Sequence, residues 1–280
     1  MAFVLDHVLV RHDPVGEPVP VVFDSPHSGT DYPPDFDFVC DLQVLREAED
    51  THVDALFAEA PRCGAGLLCA LFPRSYIDPN RAPGDLDADL VAAPWPEPRN
   101  GEKAHLGMGL IRRMSKPGEP IYGRRLTPGE VRHRLDRYYR PYHRQLEAML
   151  DAAHARFGVV YHINCHSMPS PPAAPGDARV TRPDIVLGDR DGTTCGPGFV
   201  AYVEQALHGL GFSVRRNEPY KGVELVRRHG HPAEGRHSLQ IEVSRRLYMN
   251  ERTFERHEGF DEVKARITGL IAAVCDYARP

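Results

Sequence analysis

The stretch Val159-Val160-Tyr161-His162-Ile163-Asn164-Cys165-His166 alternates between two kinds of side chain. Read as a strand, it places Val159, Tyr161, Ile163 and Cys165 on one face and Val160, His162, Asn164 and His166 on the other. It directly follows the clearest helical pattern in the chain. Thr127-Pro128-Gly129-Glu130 forms a capping box with proline at the first helical position. Val131, Leu135, Tyr138, Tyr142, Leu146, Met149 and Ala153 then recur at three- or four-residue intervals until about Phe157. Pro141 is expected to kink or break that helix.

Working outward, residues 21–23 read as a short buried strand, left by the loop Asp24-Ser25-Pro26-His27-Ser28-Gly29. Residues 42–60 keep a helical spacing that Pro61 closes, which would put Asp50 and Asp54 on one helix face. Residues 66–72 make a second strand, followed by the charged turn Arg74-Ser75-Tyr76-Ile77-Asp78-Pro79-Asn80-Arg81. Residues 82–126 show no sustained period and read as an excursion of loops and short elements. Beyond the central strand, residues 185–188, 212–216 and 238–244 read as strands, with helices at 199–210 and 254–277. Helices alternating with strands define an α/β fold on a mostly parallel or mixed sheet, here a single domain over residues 1–280.

The composition limits the partners. Among 280 residues, 34 Lys+Arg against 39 Asp+Glu give a net charge of −5, without the basic excess of a dedicated nucleic-acid or anionic-membrane binder. No apolar run approaches the length of a membrane span, and Asp6, Arg11, His12 and Asp13 interrupt any signal-peptide core. A cytoplasmic protein acting on a small molecule is expected. The six cysteines, Cys40, Cys63, Cys69, Cys165, Cys195 and Cys275, have no CxxC spacing, and most read as buried thiols.

The chemistry rests on some of the 15 histidines. HExxH, Walker A, GxGxxG and GxSxG signatures are absent. His27 and His166 each end a strand, where α/β proteins place their ligands. With Asp50, or Glu49 beside it, they would leave a fourth position for water, as a catalytic zinc requires. The plainer reading is a pair of hydrogen-bonded structural histidines. Glu242 projects opposite the apolar Leu239, Ile241 and Val243, as a general base or as a salt-bridged surface residue, with Arg245 just beyond. Arg74, Asn80 and Arg81 suit carboxylate capture, although such loops are usually solvated. His52, Asp54, His162 and Asn164 could orient the ligands. Arg227-Arg228-His229-Gly230-His231 reads as a flexible surface segment. Lys221-Gly222 fits a substrate-covering loop or a plain turn, and Asp189-Arg190-Asp191-Gly192 reads as a turn rather than a calcium loop.

Five of these pieces, in this order, resemble the N-formylglutamate amidohydrolase family: Ser25 to Gly29, the acidic segment with Glu49, Asp50 and Asp54, Arg74 to Arg81, Asn164 to Met168, and Gln240 to Arg245. The resemblance spans about residues 20 to 250. It implies a zinc-carboxypeptidase-like, phosphorylase/hydrolase-like fold, with a three-layer mixed sheet flanked by helices. It further implies one zinc ion on His27 and His166, Glu242 as general base and acid, and Asn80-Arg81 binding a substrate carboxylate. The tight HxxE of the carboxypeptidases is missing, since Thr30 stands three residues after His27, which leaves Asp50 as third ligand and Glu49 second. Arg74 or Arg245 would face the oxyanion. The implied activity is hydrolysis of a small N-acyl amide of an amino acid, such as N-formylglutamate, in amino-acid catabolism. A metallo-carboxypeptidase, another N-acyl amino-acid deacylase and a non-catalytic metal- or amino-acid-binding module stay open as alternatives.

Overall fold

The alternating stretch forms the centre of the sheet in a computed structural model, which describes residues 2–93, 95, 101–116, 118–170 and 183–279. The strands are β1 (Ala2–Leu5), β2 (Leu9–His12), β3 (Val21–Ser25), β4 (Gly66–Ala70), β5 (Met114–Lys116), β6 (Glu119–Pro120), β7 (Val160–Met168), β8 (Ile185–Gly188), β9 (Val214–Arg216) and β10 (Arg236–Ser244). The helices are α1 (Leu42–Arg46), α2 (Val53–Leu56), α3 (Glu102–His105), α4 (Pro128–Arg134), α5 (Arg140–Phe157), α6 (Pro197–Gly209), α7 (Glu224–His229) and α8 (Phe260–Ala278).

Eight strands form one mixed sheet in the order β1-β2-β4-β3-β7-β10-β8-β9, and β5 and β6 make a separate small hairpin. The inner strands β4, β3, β7 and β10 run parallel, so their carboxyl ends open on the same edge. Strands β2 and β8 join antiparallel. Alternation divides the core as the sequence predicts. Phe23, Ile163, Cys165, Leu239, Ile241 and Val243 meet α2, α6 and α8, whereas Val22, Leu68 and Val160 face α4 and α5. Helices on both faces make three layers. No helix among the described residues is long and apolar enough to cross a membrane.

The helix expected over residues 42–60 is instead two short helices, α1 and α2, followed by a 3₁₀ turn at Ala60–Cys63. Asp50 therefore lies in the turn between them, where His52 adopts a positive φ of 67°. The interruption has a tertiary cause. The carbonyls of Glu47 and Glu49 accept from Arg245, and Asp50 N–H donates to His27 O at 3.0 Å, so these groups are withdrawn from helical pairing.

The capping box forms as expected, with Thr127 Oγ1 accepting from Glu130 N at 3.2 Å. Pro141 does not break the helix. A π-helical turn at Leu135–Tyr139 precedes α5, and Pro141 falls in the first turn of α5, where its missing N–H is tolerated. The basic segment expected to be flexible is largely α7, and its Leu225 is wholly buried in the core. The N-terminal strands β1 and β2 were not legible as strands. The excursion does hold short elements, α3 and the β5-β6 hairpin; its residues 94, 96–100 and 117 lie outside the described residues.

Candidate metal centre and active site

His27 follows β3 in a loop that passes tightly over the end of β4. A Cβ at Gly29 would stand 2.3 Å from the Leu71 carbonyl carbon, so only glycine allows that path. His166 comes from β7, in register with Glu242 of β10. Asp50 comes from the turn before α2. The three side chains are buried, and their nearest ligand atoms lie within 4.8 Å of one another. His27 Nδ1 and His166 Nδ1 stand 3.1 Å apart, at 3.2 and 2.9 Å from Asp50 Oδ2.

The opposite ring nitrogens explain what this cluster can hold. His27 Nε2 lies 2.7 Å from Asp78 Oδ1, and His166 Nε2 lies 2.6 Å from Asn164 Oδ1. Both oxygens accept, so the network assigns the protons to the two Nε2 atoms and leaves both Nδ1 lone pairs facing each other and the Asp50 carboxylate. Three acceptors so close repel without a cation between them. Their separations are near the roughly 3.3 Å expected between ligands of a tetrahedral zinc with bonds of about 2.0 Å. The cluster can hold a metal ion.

Charge around the cluster agrees with this. Burial opposes ionisation of Asp50, yet its carboxyl is held well below the ordinary range by the hydrogen bonds and charge that His166 and His27 supply when protonated at Nδ1, a compensation that a cation takes over when both rings are neutral. Burial above all lowers His166, favouring the neutral ligand form. Asp78 is likewise held well below its usual value, against burial, by Arg74 and His27. Glu49, the competing ligand candidate, is turned away: it accepts from Tyr32 and from Arg46 Nε at 3.4 Å.

Glu242 is buried beside the cluster and accepts from Gln240 Nε2 at 2.9 Å. Arg74 binds Asp78 Oδ2 through Nε and Nη2 at 3.2 and 2.8 Å, while its Nη1 reaches 4.0 Å from Asp50 Oδ2. Although burial disfavours its charge, Asp78, Asp50 and Glu242 raise its pKa. Arg81 donates weakly to the carbonyls of Met108 and Asn80 at 3.4 and 3.2 Å.

Two residues expected at the substrate are tied into the protein instead. Asn80 Oδ1 accepts from Leu225 N at 2.9 Å, and its amino nitrogen lies 3.2 Å from His166 Nε2. Arg245 donates to Glu47 O, Glu49 O, Asp50 Oδ1 and Ser167 Oγ, so it sits beneath Asp50 rather than in open space. Of the four proposed orienting residues, Asn164 touches a ligand. His162 reaches Asp24 and Ser238, His52 caps the Phe254 carbonyl, and the Asp54 N–H donates to Ser28 Oγ. Asp78 carries no signal in the sequence beyond its position four residues after Arg74. His229 packs its ring on His162, and Lys221 pairs with Asp191 at 2.8 Å. Asp189 Oδ1 accepts from Gly192 N, the turn expected there.

Fold and site together place the protein among the hydrolases built on a mixed α/β sheet. The sequence profile of the N-formylglutamate amidohydrolase family matches residues 19–249. N-formylglutamate deformylase of Pseudomonas putida is 30% identical over 240 residues, covering 83% of each chain. The enzyme of that name from Pseudomonas aeruginosa is 29% identical over 238 residues, with the same coverage. The crystal structure of N-formylglutamate amidohydrolase from Ralstonia eutropha JMP134 is 49% identical, superimposes with a TM-score of 0.93 and covers 98% of this chain and 99% of its own. The chain belongs to the N-formylglutamate amidohydrolase family, and the protein is a hydrolase acting on an amide bond.

Proposed function

We propose that the protein is a zinc-dependent deformylase of N-formylglutamate, with His27, Asp50 and His166 as ligands. The observation that carries this reading is the pair of Nδ1 lone pairs converging on Asp50 Oδ2 beside a second buried carboxylate, Glu242. When bound, zinc supplies Lewis acidity, polarising the formyl carbonyl and lowering the pKa of water.

The protein's own groups supply the rest. Glu242 accepts a proton from water as the water oxygen bonds to the formyl carbon, then returns it to the amide nitrogen as the C–N bond breaks. Formate and glutamate leave. Arg74, with Nη1 directed toward Asp50, stabilises the oxyanion that forms. Arg81 anchors the α-carboxylate. Asn164 fixes the His166 ring, and Arg245 fixes the turn that presents Asp50. The relatives named as N-formylglutamate deformylases support the choice of substrate.

The test is elemental analysis of the purified protein combined with assay of N-formyl-, N-acetyl- and N-succinyl-glutamate beside short peptides. About one zinc per chain, lost in His166→Ala, with equimolar formate and glutamate released from the formyl substrate, is expected. No metal after reconstitution, or preferential cleavage of another acyl group, would overturn the respective part.

A further inference from the structure

The residues of the excursion between Gly107 and Met114 fold back onto the turn that carries Asp78 and Arg81. Asp78 N donates to Leu110 O at 2.7 Å, and Leu110 N to Asp85 O at 2.6 Å. Arg81 Nε reaches Met108 O at 3.4 Å, and Met108 is bridged across the loop to Arg112. The loop thus brings a further guanidinium to the edge of the site.

Arg112 differs from the arginine next to it. Arg113 finds Asp87 Oδ2 at 2.6 Å. Arg112 is buried, its Nε–H has no hydrogen-bond partner, and no carboxylate pairs with it among the described residues. Burial, foremost, and then the charge of Arg74 push its pKa down to about 9, with Asp78 working against them and Arg81 adding to them. An uncompensated buried cation is costly to a folded chain, and an anion arriving from outside removes that cost. Within the site Arg74 is already matched by Asp78, and among the described residues Arg81 has only Asp85 at 4.0 Å. Two guanidiniums are therefore left for two anionic groups.

We propose that Arg112 binds the side-chain carboxylate of a dicarboxylic N-acyl amino acid while Arg81 holds the α-carboxylate. Arg112 thereby selects an acidic over a neutral side chain. The inference rests on the deformylase reading above and adds the residue that sets its substrate class. A guanidinium fork suits a carboxylate, whereas a carboxamide of the same shape offers one neutral acceptor and turns an amino group toward the second N–H.

The zinc-replete enzyme is assayed with N-formylglutamate and with N-formylglutamine, as wild type and as Arg112→Gln. Wild type is expected to prefer the acid, and the variant to lose that preference about ten- to hundredfold, mainly in KM, the scale of a charged hydrogen bond. A preference unchanged within about threefold overturns the assignment. Glutamate and glutamine are also compared as stabilising ligands in thermal unfolding. Glutamate should raise the wild-type Tm more than glutamine does, and Arg112→Gln should erase the difference; an undiminished difference overturns it. This second readout needs no turnover, so a wild type that cleaves neither substrate removes the deformylase reading while leaving the Arg112 assignment to be decided. Should Arg112→Gln not fold, Arg112→Lys retains charge without the fork, and a several-fold lower preference is expected; an unchanged one overturns the role.

Discussion

His27 Nε2 donates to Asp78 Oδ1 at 2.7 Å, and both side chains are completely buried. This one contact sets the histidine's tautomer, turns its Nδ1 lone pair toward Asp50 and leaves Asp78 Oδ2 to hold Arg74. On the proposed mechanism, ligand orientation and the cation facing the oxyanion thus depend on the same carboxylate. Asp78→Asn keeps the shape but weakens both interactions. Zinc affinity is expected to fall about ten- to a hundredfold, the usual effect of losing a partner that orients a ligand histidine. Competition with a fluorescent chelator measures it, and wild-type affinity would show that Asp78 serves only Arg74.

Glu242→Gln preserves volume and the neighbourhood of Gln240 while removing the proposed proton acceptor. Turnover is expected to drop about a hundredfold or more with metal content unchanged. Retained metal distinguishes loss of the base from collapse of the site, and wild-type turnover would exclude Glu242 from proton transfer.

The parts of this architecture that depend on local period were open to sequence reading. The two faces of β7 follow from a period of two, and polar residues on one of them marked the site side. His27 and His166 stood at strand ends, where such folds bind ligands, and Glu242 stood on the polar face of its own strand. The turn holding Asp50 was not legible, because Leu42, Leu45, Val53 and Leu56 imitate one helix. What interrupts it is a contact with Arg245, some 195 residues away in sequence. Arg112 was hidden for a related reason. It lies in a segment with no period, and its lack of an ion pair exists only once Arg113 and Asp87 have met. Zinc dependence and the roles of individual residues depend on chemistry that the arrangement supports and that the assays above decide.

Acid sensitivity follows from two histidines, the buried His143 and the partly buried His229. His143 donates Nε2–H to Pro79 O at 2.9 Å, and burial lowers its pKa to about 4; burial with nearby positive groups lowers His229 to about 2. Their folded values lie below the unfolded value of 6.5, so the neutral forms contribute fully above pH 6.5. As pH falls below that value, the unfolded chain takes up protons that the folded chain refuses. Stability should therefore fall on acidification by about 1.4 kcal/mol per pH unit for each histidine. Denaturant titrations at pH 7 and pH 5 measure the slope. It should be shallower in His143→Phe, and an unchanged slope would remove that histidine from the effect.

Arg81 tests the orientation of the substrate. Among the described residues its guanidinium has no carboxylate closer than Asp85 at 4.0 Å, so it stays available to an incoming anion. Arg81→Ala should raise KM for N-formylglutamate tenfold or more while changing kcat far less, because the lost contact is made in ground state and transition state alike. For the α-carboxamide of the same substrate the change in KM should be small, since no negative charge is there to be lost. If acid and amide respond equally, Arg81 acts through packing against Met108, and the α-carboxylate is held elsewhere in the site.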